Sequence, residues 1–156
     1  VGHLQKGHGI AFADLDDDGD LDLFARQGGA YPGDAAHDAL FANPGFGNHW
    51  LGVQAVGTHS NRSAIGARLR AVIEEDGKQR VVYRYVGSGG CFGANPLRQT
   101  LGLGKATVVK SLEVRWPRSQ QTQTLHDVAV DRSIRIVEGT EGCTALPMRS
   151  TTLGGK

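Results

Sequence analysis

Asp14-Leu15-Asp16-Asp17-Asp18-Gly19-Asp20-Leu21-Asp22 is the stretch on which the reading of this chain turns. It places six carboxylates within nine residues of a chain whose formal net charge is +1. Such a density is self-repelling unless a cation sits among the acids. The spacing names the cation. Acidic residues at loop positions 1, 3, 5 and 9, with glycine at position 6, are how a short loop wraps a hard ion in oxygen. Asp14, Asp16, Asp18 and Asp22 then supply side-chain oxygens, and Asp20 supplies its backbone carbonyl. Gly19 takes the sharp turn that brings the chain back over the ion, and Asp17 points to solvent. Calcium is the expected ion, because magnesium keeps its waters and accepts few carboxylates.

An EF-hand starts in the same way but requires a Glu at position 12 and a helix on either side. Here position 12 is Ala25. The flanks, Gly9 to Ala13 and Leu21 to Phe24, carry apolar residues at alternate positions: Ile10 and Phe12, then Leu21 and Leu23. That period predicts strands, so the loop joins a β-hairpin. The competing reading is a solvated acidic turn capped by its own side chains.

The rest of the chain supports an all-β fold. Its 156 residues suffice for a core without covalent staples. Its 23 glycines are spread along the sequence, which suits many short strands and tight turns. The near-balanced charge implies no nucleic-acid partner, and no apolar run is long enough for membrane insertion. No signal peptide is visible. Strands are predicted over 38–43, 49–56, 67–74, 79–86, 99–103, 111–116, 120–125 and 133–137. Glu75-Asp76-Gly77-Lys78 is the clearest hairpin turn, and Pro117 closes the strand before it. After Gly139 the alternation dissolves, which predicts a loose tail. The expected organisation is a calcium-binding hairpin over 1–45, a β domain over 46–139 and a flexible tail over 140–156. The expected fold is a β-sandwich or open barrel with that hairpin at its N-terminal end.

Other motifs lead nowhere catalytic. Gly102-Leu103-Gly104-Lys105 lacks the hydroxyl and the first glycine of a phosphate loop and reads as a β-turn. Gly87-Ser88-Gly89-Gly90 is neither a nucleophile elbow nor a dinucleotide fingerprint; its glycines suit close backbone packing. Asn61-Arg62-Ser63 fits a glycosylation acceptor but suits a loop satisfying its own backbone. Asp34, His37, Asp38 and His126 form an acid–base set only if the fold assembles them. His3 and His8 read as ordinary polar residues. Cys91 and Cys143 are either free thiols or a disulfide closing a long loop. Arg62, Arg68, Arg70, Arg80, Arg84 and Arg98 give the middle of the chain a basic bias. That bias reads as a solvated sheet face, or as a surface for acidic glycans with Tyr83, Tyr85 or Trp50 for stacking.

Two resemblances follow. Phe12 to Leu23 resembles the FG-GAP (VCBS-type) repeat, whose strand–DxDxDGxxD–strand unit binds calcium in β-propellers. The run from Phe41 to Gly139 resembles the ASPIC/UnbV family, found at the end of cartilage acidic protein and of many secreted bacterial proteins. Asn43-Pro44-Gly45, Asn48-His49-Trp50-Leu51 and Ser60-Asn61-Arg62-Ser63-Ala64-Ile65-Gly66-Ala67-Arg68 carry the second resemblance. So do Gly87-Ser88-Gly89-Gly90, Gly102-Leu103-Gly104, Leu112-Glu113-Val114-Arg115-Trp116-Pro117 and Arg135-Ile136-Val137-Glu138-Gly139. Together they imply a secreted, periplasmic or cell-surface protein that contains calcium and is mostly β, and they imply no reaction. The expected function is therefore a non-enzymatic calcium-binding module of adhesion or recognition. A carbohydrate-binding module is the alternative and a hydrolase a more distant one. A single repeat cannot close a propeller, so the hairpin packs on its own β domain or on the rest of a propeller. An open strand edge also favours a homo-oligomer. An extracellular protein or a glycan is the expected partner beside calcium.

Overall fold

The computed structural model describes residues 7–29, 31–90 and 93–153. Among these there is no helix, and strands form three separate sheets. The chain divides into two compact units, one of 1–44, 88–96 and 150–156, the other of 45–87 and 97–149.

The first unit is built on a three-stranded antiparallel sheet. β1 (Gly7–Ala13) pairs with β2 (Asp22–Gln27), and β2 pairs with β3 (Ala39–Phe41). The expected hairpin thus gains a third strand. Directly opposed residues share a face, so Phe12, Leu23 and Phe41 lie on one side and Ala11, Phe24 and Leu40 on the other. Ile10 and Phe12, whose alternation predicted the strand, are 49% and 44% exposed. The period fixes which face a side chain takes, not what covers that face. The edge of β1 is capped by the glycine-rich loop: the Phe12 amide donates to Asn95 Oδ1 at 2.9 Å. Gly90 is needed there, since a Cβ would lie 2.3 Å from the carbonyl oxygen of Gly93.

The second unit is a β-sandwich of two four-stranded sheets. One has the order β11-β10-β4-β7 and the other β6-β5-β8-β9. The strands are β4 (His49–Val56), β5 (Arg68–Glu75), β6 (Lys78–Tyr85), β7 (Gln99–Gly104), β8 (Val108–Arg115), β9 (Thr122–Ala129), β10 (Arg132–Val137) and β11 (Thr144–Leu146). All pairs are antiparallel except β4 with β10. Leu51, Val53, Leu101, Leu103, Ile134 and Ile136 of the first sheet meet Leu69, Ala71, Ile73, Leu112 and Val114 of the second in one core. Each full burial of such a side chain contributes roughly 1.5–3 kcal/mol. A bulge between Val72 and Ile73 slips Lys110 out of register. Val109 thereby stays buried while Lys110 stays exposed.

Sandwich, not barrel, is the outcome, since neither sheet closes on itself. The tail expected over 140–156 is corrected: it contributes β11, paired with β10 from Ser133 to Arg135. Three residues are too few to show alternation, and the backbone of β11 finds its partners along β10. Cys143 is an exposed free thiol; Cys91 and His3 lie outside the described residues, and so does the question of a disulfide.

Candidate metal centre

Residues 14–21 join β1 to β2, and the acids hold this loop in shape. Asp17 and Gly19 take positive φ, 55° and 99°, the conformations that turn a chain within so few residues. The Asp18 amide donates to Asp14 Oδ1 at 3.0 Å and the Asp20 amide to Asp18 Oδ1 at 2.9 Å. Asp22, only 2% exposed, cross-links the base. Its Oδ2 accepts from the Leu15 amide at 3.0 Å and its Oδ1 from the Asn43 amide at 2.9 Å. The Asp16 carbonyl accepts from the Thr151 amide at 2.8 Å.

This brings Asp14, Asp16 and Asp18 together, each with a carboxylate oxygen within 4.8 Å of the others. Asp16 Oδ1 is buried without a hydrogen-bond partner. Burial, then Asp18 and Asp22, push the Asp16 carboxyl above its usual range. Burial, then Asp18, Asp22 and Asp16, do the same to Asp20. In both groups burial is the larger cause, and the neighbouring carboxylates add to it. The group could hold a metal ion; hard all-oxygen donors suit calcium or magnesium over softer metals. Asp20 and Asp22 stand outside the triad. Asp20 was expected to ligate through its carbonyl, and Asp22 has both oxygens engaged by amides while retaining further lone pairs.

Other sequence candidates separate. Asp38 is bound by Arg26 at 2.7 Å and by the Gln27 amide at 3.0 Å. Those contacts, the Gln27 amide first, lower its carboxyl. His126 lies opposite Ser111 in the sandwich. Asn61 closes its own loop, donating to the Ile65 carbonyl and accepting from the Ile65 amide. Gly104 and Lys105 form the expected turn, with the Lys105 amide donating to Glu75 Oε1 at 2.7 Å. Arg70 pairs with Glu113 and Arg80 with Glu75.

Sequence reading missed Glu138. It is 2% exposed and follows β10. Its Oε2 accepts from the successive amides of Thr58, His59 and Ser60, its Oε1 from the hydroxyls of Ser60 and Ser119. The amides form an anion-binding nest, and Glu138 is the anion. Burial pushes its carboxyl up, but the Ser60 amide, the Ser119 hydroxyl, the Thr58 amide and the Ser60 hydroxyl outweigh that and bring it to about 2. Nothing local in Val137-Glu138-Gly139 signals this, because the partners lie far away in sequence.

Two facing sheets, with an acidic-loop hairpin ahead of them in the chain, define a non-helical β module. The family model described as ASPIC and UnbV matches residues 57–142, more than half of the chain. The chain belongs to that family, as the dispersed motifs between Phe41 and Gly139 led us to expect, although residues 41–56 of that run lie outside the match. No curated protein matches it. No helix among the described residues is long and apolar enough to cross a membrane.

Proposed function

We propose that this chain is a calcium-binding recognition module of an exported protein, without catalytic activity of its own. The observation that carries the metal is Asp16 Oδ1, a buried and unpartnered carboxylate oxygen beside Asp14 and Asp18. Buried polar atoms in native proteins almost always have a partner, and an ion bridging the triad supplies one. The resemblance of Phe12 to Leu23 to an FG-GAP loop supports calcium. Membership of the ASPIC and UnbV family supports an extracellular setting, because the resemblance that pointed to that family also implied export. Half-exposed Ile10 and Phe12 and the exposed Phe24 and Leu40 support a sheet that packs on further protein, such as the remainder of a propeller.

Melting in EDTA, in millimolar calcium and in millimolar magnesium tests this reading, together with a calorimetric count of ions bound. Ion at a hundred times its dissociation constant stabilises by about 2.7 kcal/mol, and one ion per chain is expected. Identical melts in EDTA and calcium, with no binding heat, would remove calcium from the function.

A second reading, binding of carbohydrate, is favoured by one observation. Tyr83 and Tyr85, 64% and 58% exposed, stand on one face of the β6-β5-β8-β9 sheet beside Arg70 and Arg68.

A further inference from the structure

Two successive rows of side chains cross the exposed face of that sheet. In one, Tyr83, Arg70, Glu113 and Thr124 lie directly opposite one another across β6, β5, β8 and β9. This row is neutralised internally, since Arg70 Nη1 donates to Glu113 Oε1 at 2.7 Å. The next row reads Tyr85, Arg68, Arg115, Thr122. Here an arginine faces another arginine where its neighbour faces a glutamate. Like charges directly opposed across strands destabilise a sheet. Neither guanidinium has a carboxylate within ion-pair distance among the described residues. The polar contact of Arg115 is with a neutral group, Gln120 Oε1 at 3.0 Å.

The pair borders a concavity of about 260 Å³, walled by Gly66, Tyr85, Pro117 and Gln120 as well as the two arginines. Gly66 stands close to two of the walls: a Cβ there would come within 3.1 Å of Pro117 Cβ and 3.8 Å of the Tyr85 hydroxyl. Gly66 also has φ of +100°, so glycine both makes the turn and keeps the space open. Two forked, permanently charged donors beside an aromatic ring match a ligand carrying an anionic group next to an apolar ring face.

We propose that Arg68, Arg115 and Tyr85 form a binding site for an acidic saccharide. The guanidinium groups take the carboxylate or sulfate of the sugar, and the Tyr85 ring packs against its C–H face. This deepens the carbohydrate reading and does not depend on the calcium loop. The cleft lined by Arg62 and Arg135 is a weaker candidate, because no aromatic ring among the described residues lines it beside the arginines.

Calorimetric titration of the full chain with a galacturonate hexamer, a sulfated hexasaccharide and a neutral glucan hexamer tests the proposal, each in calcium and in EDTA. The expected result is binding of one or both acidic sugars in either medium and none of the neutral one. Arg115→Gln and Arg68→Gln should each weaken it about tenfold, the loss of one charged fork. Tyr85→Ala should weaken it several-fold. Lys78→Gln, which removes the same charge elsewhere, should leave it unchanged. The two acidic probes separate a carboxylate from a sulfate source. Failure of both to bind overturns the proposal, as does equal loss with Lys78→Gln, which would mean diffuse attraction. Equally tight binding of a glutamate hexapeptide, insensitive to Tyr85→Ala, would also overturn the saccharide assignment. Loss of binding in EDTA alone would tie it to the metal loop and refute the independence claimed here.

Discussion

Replacing Glu138 by glutamine keeps the size of the side chain and removes the anion from the nest made by Thr58, His59 and Ser60. An amide cannot serve all five donors now directed at the carboxylate. The magnitude follows from the carboxyl's position. Lowering from its ordinary 4.5 to about 2 means that the folded state favours the charged form by about 3 kcal/mol. The sign is that of a depressed acid. Its stabilisation is complete above the unfolded value of 4.5, falls as the pH drops, and is gone near pH 2. Parallel denaturant titrations of wild type and Glu138→Gln from pH 7 to pH 2 should therefore show a gap of about 3 kcal/mol near neutrality. The gap should narrow below about pH 4.5 and close near pH 2. Thermal melts at pH 7 should differ by roughly 10 °C, from about 2–4 °C per kcal/mol for a chain of this size. A gap that stays constant across the acid range, or one below about 0.5 kcal/mol at pH 7, would refute the view that charge rather than shape holds this loop.

Four further outcomes follow from the structure. Asp16→Ala should behave oppositely in the two media: in EDTA it removes a carboxylate that burial and the neighbouring acids hold above its usual range and leaves the melting point equal or higher, and in calcium it abolishes the ion-dependent rise. In EDTA the raised carboxyls of Asp16 and Asp20 should make the hairpin unit less stable as the pH rises past 3.8, the reverse of the Glu138 effect, which circular dichroism against pH will check. Gly57→Ala should destabilise the sandwich by about 2–3 kcal/mol in urea titration, since its Cβ would lie 2.2 Å from the Asn61 carbonyl oxygen. Arg115→Gln, by relieving the arginine opposite Arg68, should leave stability unchanged or raise it by up to about 1 kcal/mol at low salt; a clear loss would mean that the pair is not repulsive.

The sequence by itself determined the acidic loop and every strand but β11, because these are local signals. His49–Val56 was legible residue for residue, and the Asp-Gly turn placed β5 and β6 within one residue at each end. Alternation over eight residues is a strong pattern, and a turn needing positive φ at Asp76 and Gly77 has few acceptable sequences. Carboxylates at alternate loop positions were likewise legible, and Asp14, Asp16 and Asp18 do converge. Tertiary structure alone decided the rest, since it depends on partners far apart in the chain. It gave Asp22 to the amides of Leu15 and Asn43 and left Asp16 Oδ1 without a partner. It made β11 a strand by laying it along β10, where its own sequence offers no period. It turned Glu138 into a buried anchor by closing a loop some eighty residues away over it. And it set Arg68 against Arg115 by pairing β5 with β8, a register that neither strand encodes alone.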